Sequence, residues 1–180
     1  MRLTGAELEA AFAKVRLLAF DCDGVLTGSE LIYDAQGDDQ HVFNVRDGHG
    51  LLLLKQAGVK LLLLTGRQSR SVEKRATELR FDFVLQGARK KGPLLRAECV
   101  QAGFMPEEVC YIGDDINDLG AMKFAGLPVG VADAVPEVLE AVKFVTHAVG
   151  GRGAAREVCE RILKAKGAWA NILRTYSEDL

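Results

Sequence analysis

The sequence predicts an α/β protein built on a doubly wound parallel sheet. Short apolar runs recur along the chain with helical stretches between them, and this alternation implies a parallel sheet with right-handed crossovers and helices on both faces. The apolar runs are nearly continuous rather than alternating, as is typical of strands buried on both faces. The chain has 180 residues, 48% of them hydrophobic, which is enough for a sizeable core. We therefore expect one Rossmann-like domain over residues 1–180.

The elements can be placed in chain order. A short amphipathic helix comes first, because Thr4 and Glu7 have the spacing of a capping box. Strands are expected at Leu17–Phe20, Val59–Leu64, Phe81–Leu85, Val109–Ile112 and Leu127–Val131. Helices are expected at Gly48–Ala57, Ser69–Leu79, Gly92–Ala102, Ile116–Ala125 and Val135–Val142. Gly58, Gly103 and Gly126 each stand where a glycine would end a helix.

Two segments depart from this alternation. Residues 25–44 are expected to form a projecting β-hairpin, with strands at Leu31–Tyr33 and His41–Phe43 joined by a polar turn. Residues 152–180 are expected to form a C-terminal helix and tail. The helix, Arg152–Lys164, has an apolar stripe at helical spacing, and the residues after Gly167 form either a tail or a docking segment.

Composition excludes several classes of function. A net charge of −2 without single-sign charge runs argues against nucleic-acid partners. The leucine runs at 51–54 and 61–64 are too short to span a bilayer, so no membrane partner is expected, and no signal peptide is expected either. The four cysteines include no CxxC pair and no metal-ligand spacing. We expect them to be reduced, mostly buried thiols in a cytoplasmic protein.

Polar residues follow the first four predicted strands. Asp21 and Asp23 follow the first, Thr65 the second and Asp114 the fourth, while the third leads to Lys91. The carboxyl ends of parallel strands lie on one edge of the sheet, so these side chains should converge on one crevice.

Such a set suits magnesium-assisted phosphoryl transfer. Asp21 and Asp114 could hold Mg²⁺ together with the main-chain carbonyl of Asp23. Asp21 is the better candidate for a nucleophile that forms an aspartyl-phosphate, and Asp23 for the general acid and base. Thr65 and Lys91 could contact the phosphoryl oxygens.

Each signal also has a structural interpretation when taken alone. Lys91 could belong to a solvated basic face beside Arg89, and Thr65 could cap the next helix. Asp114, with Asp115 and Asp118, could be an acidic helix N-terminus favoured by the helix dipole. The sequence leaves open whether Asp115 and Asp118 would touch a metal directly or through water. The convergence of all four strand ends is what favours catalysis.

Taken together, the motifs resemble those of a known family. Asp21–Thr27, Thr65–Arg67, Lys91 and Gly113–Asp118 resemble, in order, the four motifs of the haloacid dehalogenase superfamily of phosphatases. Two further stretches, Phe43–Gly48 and Gly150–Glu157, are similar to its small branch without a cap domain, which acts on sugar-acid phosphates. This resemblance implies the dehalogenase-type fold, a Mg²⁺ cofactor, and hydrolysis of an eight-carbon sugar-acid 8-phosphate in lipopolysaccharide biosynthesis.

The resemblance also implies a substrate site. Its expected members are Asp23, Asn44, Val45, Arg46, Asp47, Gly48, Arg67, Arg75, Lys91 and Arg152. Arg46 and Arg67 suit a sugar acid, because a guanidinium grips a carboxylate in a bidentate fork. Arg75 could equally be a surface residue. Cys22 replaces the usual valine or isoleucine, a change that should be harmless, and Leu52 stands where some relatives carry an arginine.

The sequence leaves two alternative functions open and also predicts an oligomeric assembly. Relatives that act on nine-carbon sugar acids commonly carry glutamate where Arg67 stands, and non-catalytic relatives have lost the carboxylates that Asp21, Asp23 and Asp114 supply here. Without a cap, the site of one chain would be open to water. We therefore expect a homotetramer in which paired hairpins, Gly150–Gly153 and the C-terminal tail complete each site, with Arg152 near a neighbour's substrate.

Overall fold

The computed structural model describes residues 2–178, and its central feature is a six-stranded parallel sheet. The strands lie in the order β5-β4-β1-β6-β7-β8. Their bounds are Leu17–Phe20 (β1), Lys60–Leu64 (β4), Phe83–Leu85 (β5), Val109–Gly113 (β6), Leu127–Gly130 (β7) and Phe144–Val145 (β8). The hairpin strands Ile32–Tyr33 (β2) and Asp39–Gln40 (β3) form a separate two-stranded sheet. Residues 179 and 180 of the expected tail lie outside the described residues.

The helices pack in groups around this sheet. They are Gly5–Lys14 (α1), Val45–Gln56 (α2), Arg70–Glu78 (α3), Lys91–Ala102 (α4), Leu119–Phe124 (α5), Pro136–Ala141 (α6), Ala154–Ala165 (α7) and Trp169–Glu178 (α8). Helix α7 packs against α1 and α2, and α4 packs against α5. None of the helices between residues 2 and 178 has the length and apolar character needed to cross a membrane. The doubly wound parallel fold is confirmed.

Strand β1 lies at the centre of the sheet and sets the position of the site. It pairs with β4 on one side and β6 on the other, so that Phe20 is aligned with Leu63 and Ile112. All four of its residues are buried, as the continuous apolar run predicts. The residues that follow these three strands therefore meet at one edge.

The strand predictions fail at the sides of the sheet. The third expected strand begins at Phe83 rather than Phe81, and it is not buried on both faces, since Val84 is exposed on this edge strand. Strand β8 is a further edge strand that the sequence does not reveal. Its two residues are too few to give a recognisable pattern.

The hairpin forms, but its second strand is displaced from the expected position. Asp34 Oδ1 accepts hydrogen bonds from the N–H groups of Gln36 and Asp38, which closes a tight turn. The return strand therefore begins at Asp39, and the expected strand at His41–Phe43 is wrong. His41 instead turns its ring toward the sheet edge, as described below.

Three helices differ from the expectation at their N-terminal ends. Helix α2 begins at Val45 rather than Gly48, because Asn44 Oδ1 accepts from the N–H groups of Arg46 and Asp47. The expected capping box at Thr4 is wrong, since its side chain makes no capping hydrogen bond. The expected helix Ile116–Ala125 is divided into a 3₁₀ turn, Ile116–Asp118, and α5.

The three glycines placed at helix ends do not behave alike. Gly58 and Gly103 have φ of +81° and +75°, the left-handed conformation that ends a helix. Gly126 has no positive φ. Its backbone lies so close to the segment before β6 that a Cβ would be 2.5 Å from Glu107 Cα, so here the small size of glycine is what matters.

The C-terminal segment forms two helices, α7 and α8, within the described residues. Helix α7 has the predicted apolar face, with Val158, Cys159 and Ile162 among its buried residues. Helix α8 follows and is attached to it in part by Arg156, which lies over the Trp169 ring. The four cysteines are buried and free of disulfides, as expected.

Candidate active site

The ends of the three central strands bring the predicted carboxylates together. A cavity of about 290 Å³ lies there. Its lining residues are Asp21, Asp23, Gly24, Ser29, Leu31, Gly66, Arg67, Asp114, Asp115 and Asn117. The expected crevice therefore exists, and it contains the three carboxylates of the predicted chemistry.

Asp21 occupies the deepest position in this crevice. Only 4% of the residue is exposed, and its Oδ1 accepts the N–H of Cys22 at 2.7 Å. Its other oxygen, Oδ2, forms an ion pair with Lys91 Nζ. Burial, and next the nearby charge of Asp118, raise the pKa of Asp21 from 3.8 to about 7. The carboxylate is thus poorly hydrated and held in a fixed orientation.

Lys91 belongs to the site and not to a solvated face. It is 2% exposed, and its Nζ contacts both Asp21 and Asp118, the latter at 2.8 Å. Burial alone would lower the pKa of Lys91, but the two carboxylates outweigh burial and raise it. The ammonium therefore stays charged where a phosphoryl group would approach Asp21.

Close packing of two helices places Lys91 at this depth. Lys91 is the first residue of α4, and Gly92 follows it against the backbone of Gly120 in α5. A Cβ on Gly92 would lie 2.7 Å from the Gly120 carbonyl oxygen. Only a residue without a side chain lets α4 approach so closely.

Asp118 organises the groups around the nucleophile. Its Oδ1 accepts hydrogen bonds from Lys91 Nζ at 2.8 Å and from the Tyr111 hydroxyl at 2.7 Å, and its Oδ2 accepts the N–H of Asp114 at 3.0 Å. Tyr111 is fully buried, and burial together with the charge of Asp118 raises its pKa well above 10. Sequence reasoning misses Tyr111, because it stands inside the apolar run of β6. The one signal in the sequence is the Tyr111 hydroxyl itself. Because β6 has no other polar side chain to pair with it, this hydroxyl needs a hydrogen-bond partner outside the strand.

Asp114 completes a set of carboxylates suited to a divalent cation. Its Oδ1 is buried and has no hydrogen-bond partner among the described residues. Burial first, and then Asp118 and Asp21, raise the pKa of Asp114 to about 7. One oxygen from each of Asp21, Asp114 and Asp118 can be chosen so that all three lie within 4.8 Å of one another. Clustered carboxylates with an unpaired buried oxygen fit Mg²⁺, which prefers oxygen ligands.

A glycine makes room for Asp114 beside the first strand. Gly24 has φ of +78°, and a Cβ there would overlap the Asp114 carboxylate. The turn after β1 is further held by Cys22, whose carbonyl accepts the N–H groups of Val25, Leu26 and Thr27. This turn leaves Asp23 at the entrance of the crevice.

Asp23 is the more open of the two carboxylates after β1. Its side chain is 28% exposed, with Oδ1 lying 3.2 Å from His41 Nε2 and Oδ2 lying 4.0 Å from Arg67 Nε. Arg67 Nη2 donates to Asp39 in the hairpin at 3.3 Å, while Arg67 Nε is buried without a partner among the described residues. Arg67 therefore lines the crevice, and it bonds to the hairpin through Nη2.

Thr65 lies beside the crevice, at the end of β4. It is buried, and its hydroxyl oxygen accepts the N–H of Arg67 at 3.3 Å. Helix α3 begins later, at Arg70 after Ser69, so the interpretation of Thr65 as a helix cap is wrong.

The other residues expected to bind substrate lie elsewhere in the chain. Asn44, Val45, Arg46 and Arg152 line a separate cavity of about 690 Å³, which shares no lining residue with the crevice of Asp21. One chain by itself does not bring these two groups into one pocket.

Asp47, Gly48 and Arg75 have structural positions in this arrangement. Asp47 is buried and accepts the N–H groups of Gly153 and Arg156, thereby capping α7. Arg75 donates to the Asn44 carbonyl at 3.4 Å and lies across Gly48, which has no side chain to block it. Arg75 is therefore a support for the start of α2 rather than an isolated surface residue.

The fold and the crevice together define a hydrolase of the haloacid dehalogenase type. The model of the haloacid dehalogenase-like hydrolase family matches residues 84–157. The 3-deoxy-D-manno-octulosonate 8-phosphate phosphatase of Salmonella typhi is 38% identical over 153 residues, covering 85% of this chain and 81% of the relative.

Solved structures agree with this relationship. The phosphatase of the same name from Moraxella catarrhalis, in complex with magnesium ion, phosphate ion and KDO, has a TM-score of 0.93 and 35% identity over 96% of this chain and 99% of its own. The cobalt-bound enzyme from Haemophilus influenzae has a TM-score of 0.84 and 37% identity over 87% and 92%. The chain belongs to the 3-deoxy-D-manno-octulosonate 8-phosphate phosphatase family.

Proposed function

We propose that this protein is a magnesium-dependent phosphatase that hydrolyses 3-deoxy-D-manno-octulosonate 8-phosphate to the free sugar acid and phosphate, a step of lipopolysaccharide biosynthesis. One observation carries the proposal: buried Asp21 is paired with buried Lys91 at the sheet edge where Asp114 has an unpaired oxygen. A non-catalytic module would have no use for this costly arrangement of charges.

The residues present fit a magnesium site. Asp21, Asp114 and the main-chain carbonyl of Asp23 would hold Mg²⁺, which when bound supplies positive charge to the phosphoryl oxygens. Asp118 is the poorer ligand, because its oxygens already accept hydrogen bonds from Lys91, Tyr111 and the Asp114 N–H. We assign Asp118 the role of holding Lys91 and the Asp114 backbone in place.

The side chains support a two-step hydrolysis. Asp21 attacks phosphorus, and the bond from phosphorus to the sugar oxygen breaks while Asp23 gives that oxygen a proton. Asp23 then takes a proton from water as the water attacks the aspartyl-phosphate, and the bond from phosphorus to Asp21 breaks. Lys91 and Thr65 stabilise charge on the phosphoryl group during both steps.

Arg67 favours the eight-carbon sugar acid over its nine-carbon rival. It lines the crevice, and its guanidinium can offer donors to a substrate carboxylate or hydroxyl. Relatives that act on nine-carbon sugar acids commonly carry glutamate at this position, and the arginine here favours the eight-carbon substrate. The substrate assignment therefore rests on Arg67 together with the family relationship.

We also propose that the protein is a cytoplasmic homotetramer whose sites are completed by neighbouring subunits. Its free, buried thiols suit a reducing compartment. The hairpin exposes apolar side chains, among them Ile32, Tyr33 and Val42, that a neighbour could cover. Arg46 and Arg152, which do not reach the crevice of their own chain, are then available for another subunit's substrate. Asn44, Val45, Asp47, Gly48 and Arg75 would shape and support that contact.

A phosphate-release assay tests the function. The purified protein is given the 8-phosphate of 3-deoxy-D-manno-octulosonate, a nine-carbon sugar-acid 9-phosphate and a neutral hexose phosphate, each with magnesium or with EDTA. We expect magnesium-dependent turnover that is fastest on the eight-carbon acid. Faster turnover of the nine-carbon acid would favour the rival substrate, and turnover in EDTA would contradict the mechanism.

A further inference from the structure

We propose that His41 is a positioning residue for the reaction, which holds the Asp23 carboxyl group so that Oδ2 faces the substrate. This inference rests on the proposed function, because it assigns a partner to the general acid and base of that reaction. The motifs that identify the family do not include His41, and its place in the segment just after β3 gives it no obvious sequence signal.

The His41 ring is fixed by contacts on both of its nitrogens. Nε2 lies 3.2 Å from Asp23 Oδ1, and Nδ1 lies 2.7 Å from Ser71 Oγ. The side chain is only 4% exposed, and the ring stacks on Phe43 with centroids 5.9 Å apart. An imidazole so enclosed cannot turn freely, and it links the hairpin to the N-terminus of α3.

The carboxylate partner determines the role of Nε2. Asp23 Oδ1 can only accept when ionised, so Nε2–H donates to it, while the Ser71 hydroxyl, which can donate or accept, pairs with Nδ1. Asp39 Oδ2 also faces Nε2, but at 4.0 Å it is too far to compete. Ser69 lies 3.4 Å from Nδ1 and 2.9 Å from the Ser71 hydroxyl, which reinforces the same arrangement.

This arrangement gives the two oxygens of Asp23 different tasks. With Oδ1 accepting from His41, the proton of the neutral carboxyl group is left to Oδ2. Oδ2 is the oxygen nearer to Arg67, which lines the same crevice as Asp23, and it is therefore the oxygen that we assign to the leaving group. Without His41 the carboxyl group could rotate, and the proton would be presented in the wrong direction for part of the time.

The consequence depends on the leaving group. A sugar alkoxide needs the proton from Asp23, whereas p-nitrophenolate is a good leaving group and does not. Release of the enzyme-bound phosphate needs Asp23 as a base with either substrate. Loss of His41 should therefore slow both steps for an alkyl phosphate but only the second step for p-nitrophenyl phosphate.

The experiment compares variants of the full-length protein in magnesium. His41→Gln keeps a donor near the position of Nε2, whereas His41→Asn keeps a group near Nδ1 and removes the donor to Asp23. Ser71→Ala leaves the ring but removes the hydroxyl that orients it. His147→Gln is a matched control, because that side chain is 86% exposed and bonds to Glu157.

Two measurements separate the steps of the reaction. Stopped-flow detection of p-nitrophenolate gives the rate of the first step, and steady-state phosphate release gives the overall turnover rate. The alkyl substrate is whichever sugar phosphate the unmodified protein hydrolyses fastest.

We expect His41→Asn to lower kcat on the alkyl phosphate by about 30-fold, which is less than the roughly 10²–10⁴-fold usual for general acid–base catalysis because Asp23 itself remains. The p-nitrophenolate burst rate and the magnesium dependence should change by less than about threefold, since His41 does not touch the nucleophile. His41→Gln should recover most of the activity, and Ser71→Ala should show the His41→Asn pattern more weakly.

Two results would overturn the proposal. One is equal activity of His41→Asn and His41→Gln, which would show that the donor to Asp23 is unimportant. The other is an equal fall in the p-nitrophenolate burst rate and in the steady-state turnover rate, which would indicate general damage to the site. A preference of the unmodified protein for another sugar phosphate would refute the substrate assignment but would leave this comparison intact.

Discussion

At the scale of single residues, the site depends on a short chain of buried charges. Asp21 is held by Lys91, and Lys91 is held in turn by Asp118, which Tyr111 supports from inside the sheet. Each member is buried, so each needs its partner to offset lost hydration. The effect of removing one of these four side chains should therefore depend on which buried partner is left without its contact.

Asp21→Asn tests the role of the nucleophile. We expect turnover to fall by at least about 10³-fold, because an amide cannot form the covalent intermediate. The protein should remain folded, since asparagine has the same size and can still accept the N–H of Cys22. Phosphate release and a thermal melt measure the two effects, with exposed Glu140→Gln as the control. More than a few per cent of residual turnover would contradict the assignment.

Tyr111→Phe tests the support beneath Asp118. Loss of a buried hydrogen bond to a carboxylate should lower the free energy of unfolding by about 1.5–3 kcal/mol. Tyr176→Phe is the matched control, because that hydroxyl contacts His49 on the exposed surface and should contribute less than about 0.5 kcal/mol. Urea unfolding in the absence of magnesium measures both. Equal effects of the two substitutions would show that the buried hydrogen bond contributes no more to the free energy of unfolding than the exposed one.

The raised pKa values of Asp21 and Asp114 predict how stability varies with pH. Both rise from 3.8 to about 7 on folding, so between these pH values the folded state binds more protons than the unfolded state. The contribution of these groups to stability is therefore largest at low pH and is lost as pH rises toward 7. Magnesium favours the ionised carboxylates and should reverse this loss.

Thermal melts with magnesium and with EDTA between pH 5 and 8 measure this linkage. We expect the increase in Tm caused by magnesium to grow with pH through about 7. An increase that is the same at all pH values would show that proton release from these carboxylates is not coupled to metal binding.

These residues also show how far sequence reasoning reaches. Asp21, Asp23 and Asp114 could be placed at one sheet edge, because the parallel direction of the strands follows from the alternation of strands and helices. The bond from Tyr111 to Asp118 could not be predicted, since it depends on the side-chain conformation inside β6. The position of Arg46 relative to Asp21 could not be predicted either, because it depends on the path of the hairpin.

At the scale of elements, local side-chain bonds decide where secondary structure begins. The turn at Asp34 displaces the return strand of the hairpin, and Asn44 starts α2 three residues before the expected Gly48. Both bonds involve Asp or Asn, so their existence could have been suspected, but several turn geometries suit the same residues. Strand β8 escaped prediction because its pairing with β7, not its own sequence pattern, defines it.

Gly92→Ala tests the contact between α4 and α5 that places Lys91. The added Cβ would lie 2.7 Å from the Gly120 carbonyl oxygen, so α4 must move. We expect a loss of about 1–3 kcal/mol in the free energy of unfolding, together with a fall in kcat as Lys91 is displaced. Gly120→Ala is the matched control, because its Cβ would lie 3.5 Å from Gly92, an ordinary contact. Equal stability and activity of the two variants would contradict this account.

At the scale of the whole molecule, the substrate residues are divided between two cavities. Asp21, Asp23 and Arg67 line the crevice, whereas Arg46 and Arg152 line the cavity of about 690 Å³. The segment that carries Arg152 is held in place by backbone contacts, since Gly151 N–H donates to the Val25 carbonyl at 2.9 Å. Arg152 is thus fixed beside the turn after β1 without lining the crevice of its own chain. A tetramer would resolve this division if each subunit supplied Arg152 to another.

Complementation between subunits tests this arrangement directly. Asp21→Asn lacks the nucleophile, and Arg152→Ala should raise KM for the sugar-acid phosphate by about tenfold or more, because a charge-assisted contact is lost. When the two variants are co-expressed with different affinity tags, mixed tetramers contain sites with Asp21 from one subunit and Arg152 from another. These sites are intact if Arg152 acts in trans, so the mixed species should show low-KM turnover that neither parent shows.

A truncated chain ending at Gly167 tests the C-terminal tail, and sedimentation measures the mass of the assembly. We expect the truncated chain to remain tetrameric but to bind substrate more weakly, because the exposed side chains of Leu173 and Tyr176 are then missing. A fully active monomer, or mixed tetramers no better than Arg152→Ala alone, would show that each chain completes its own site.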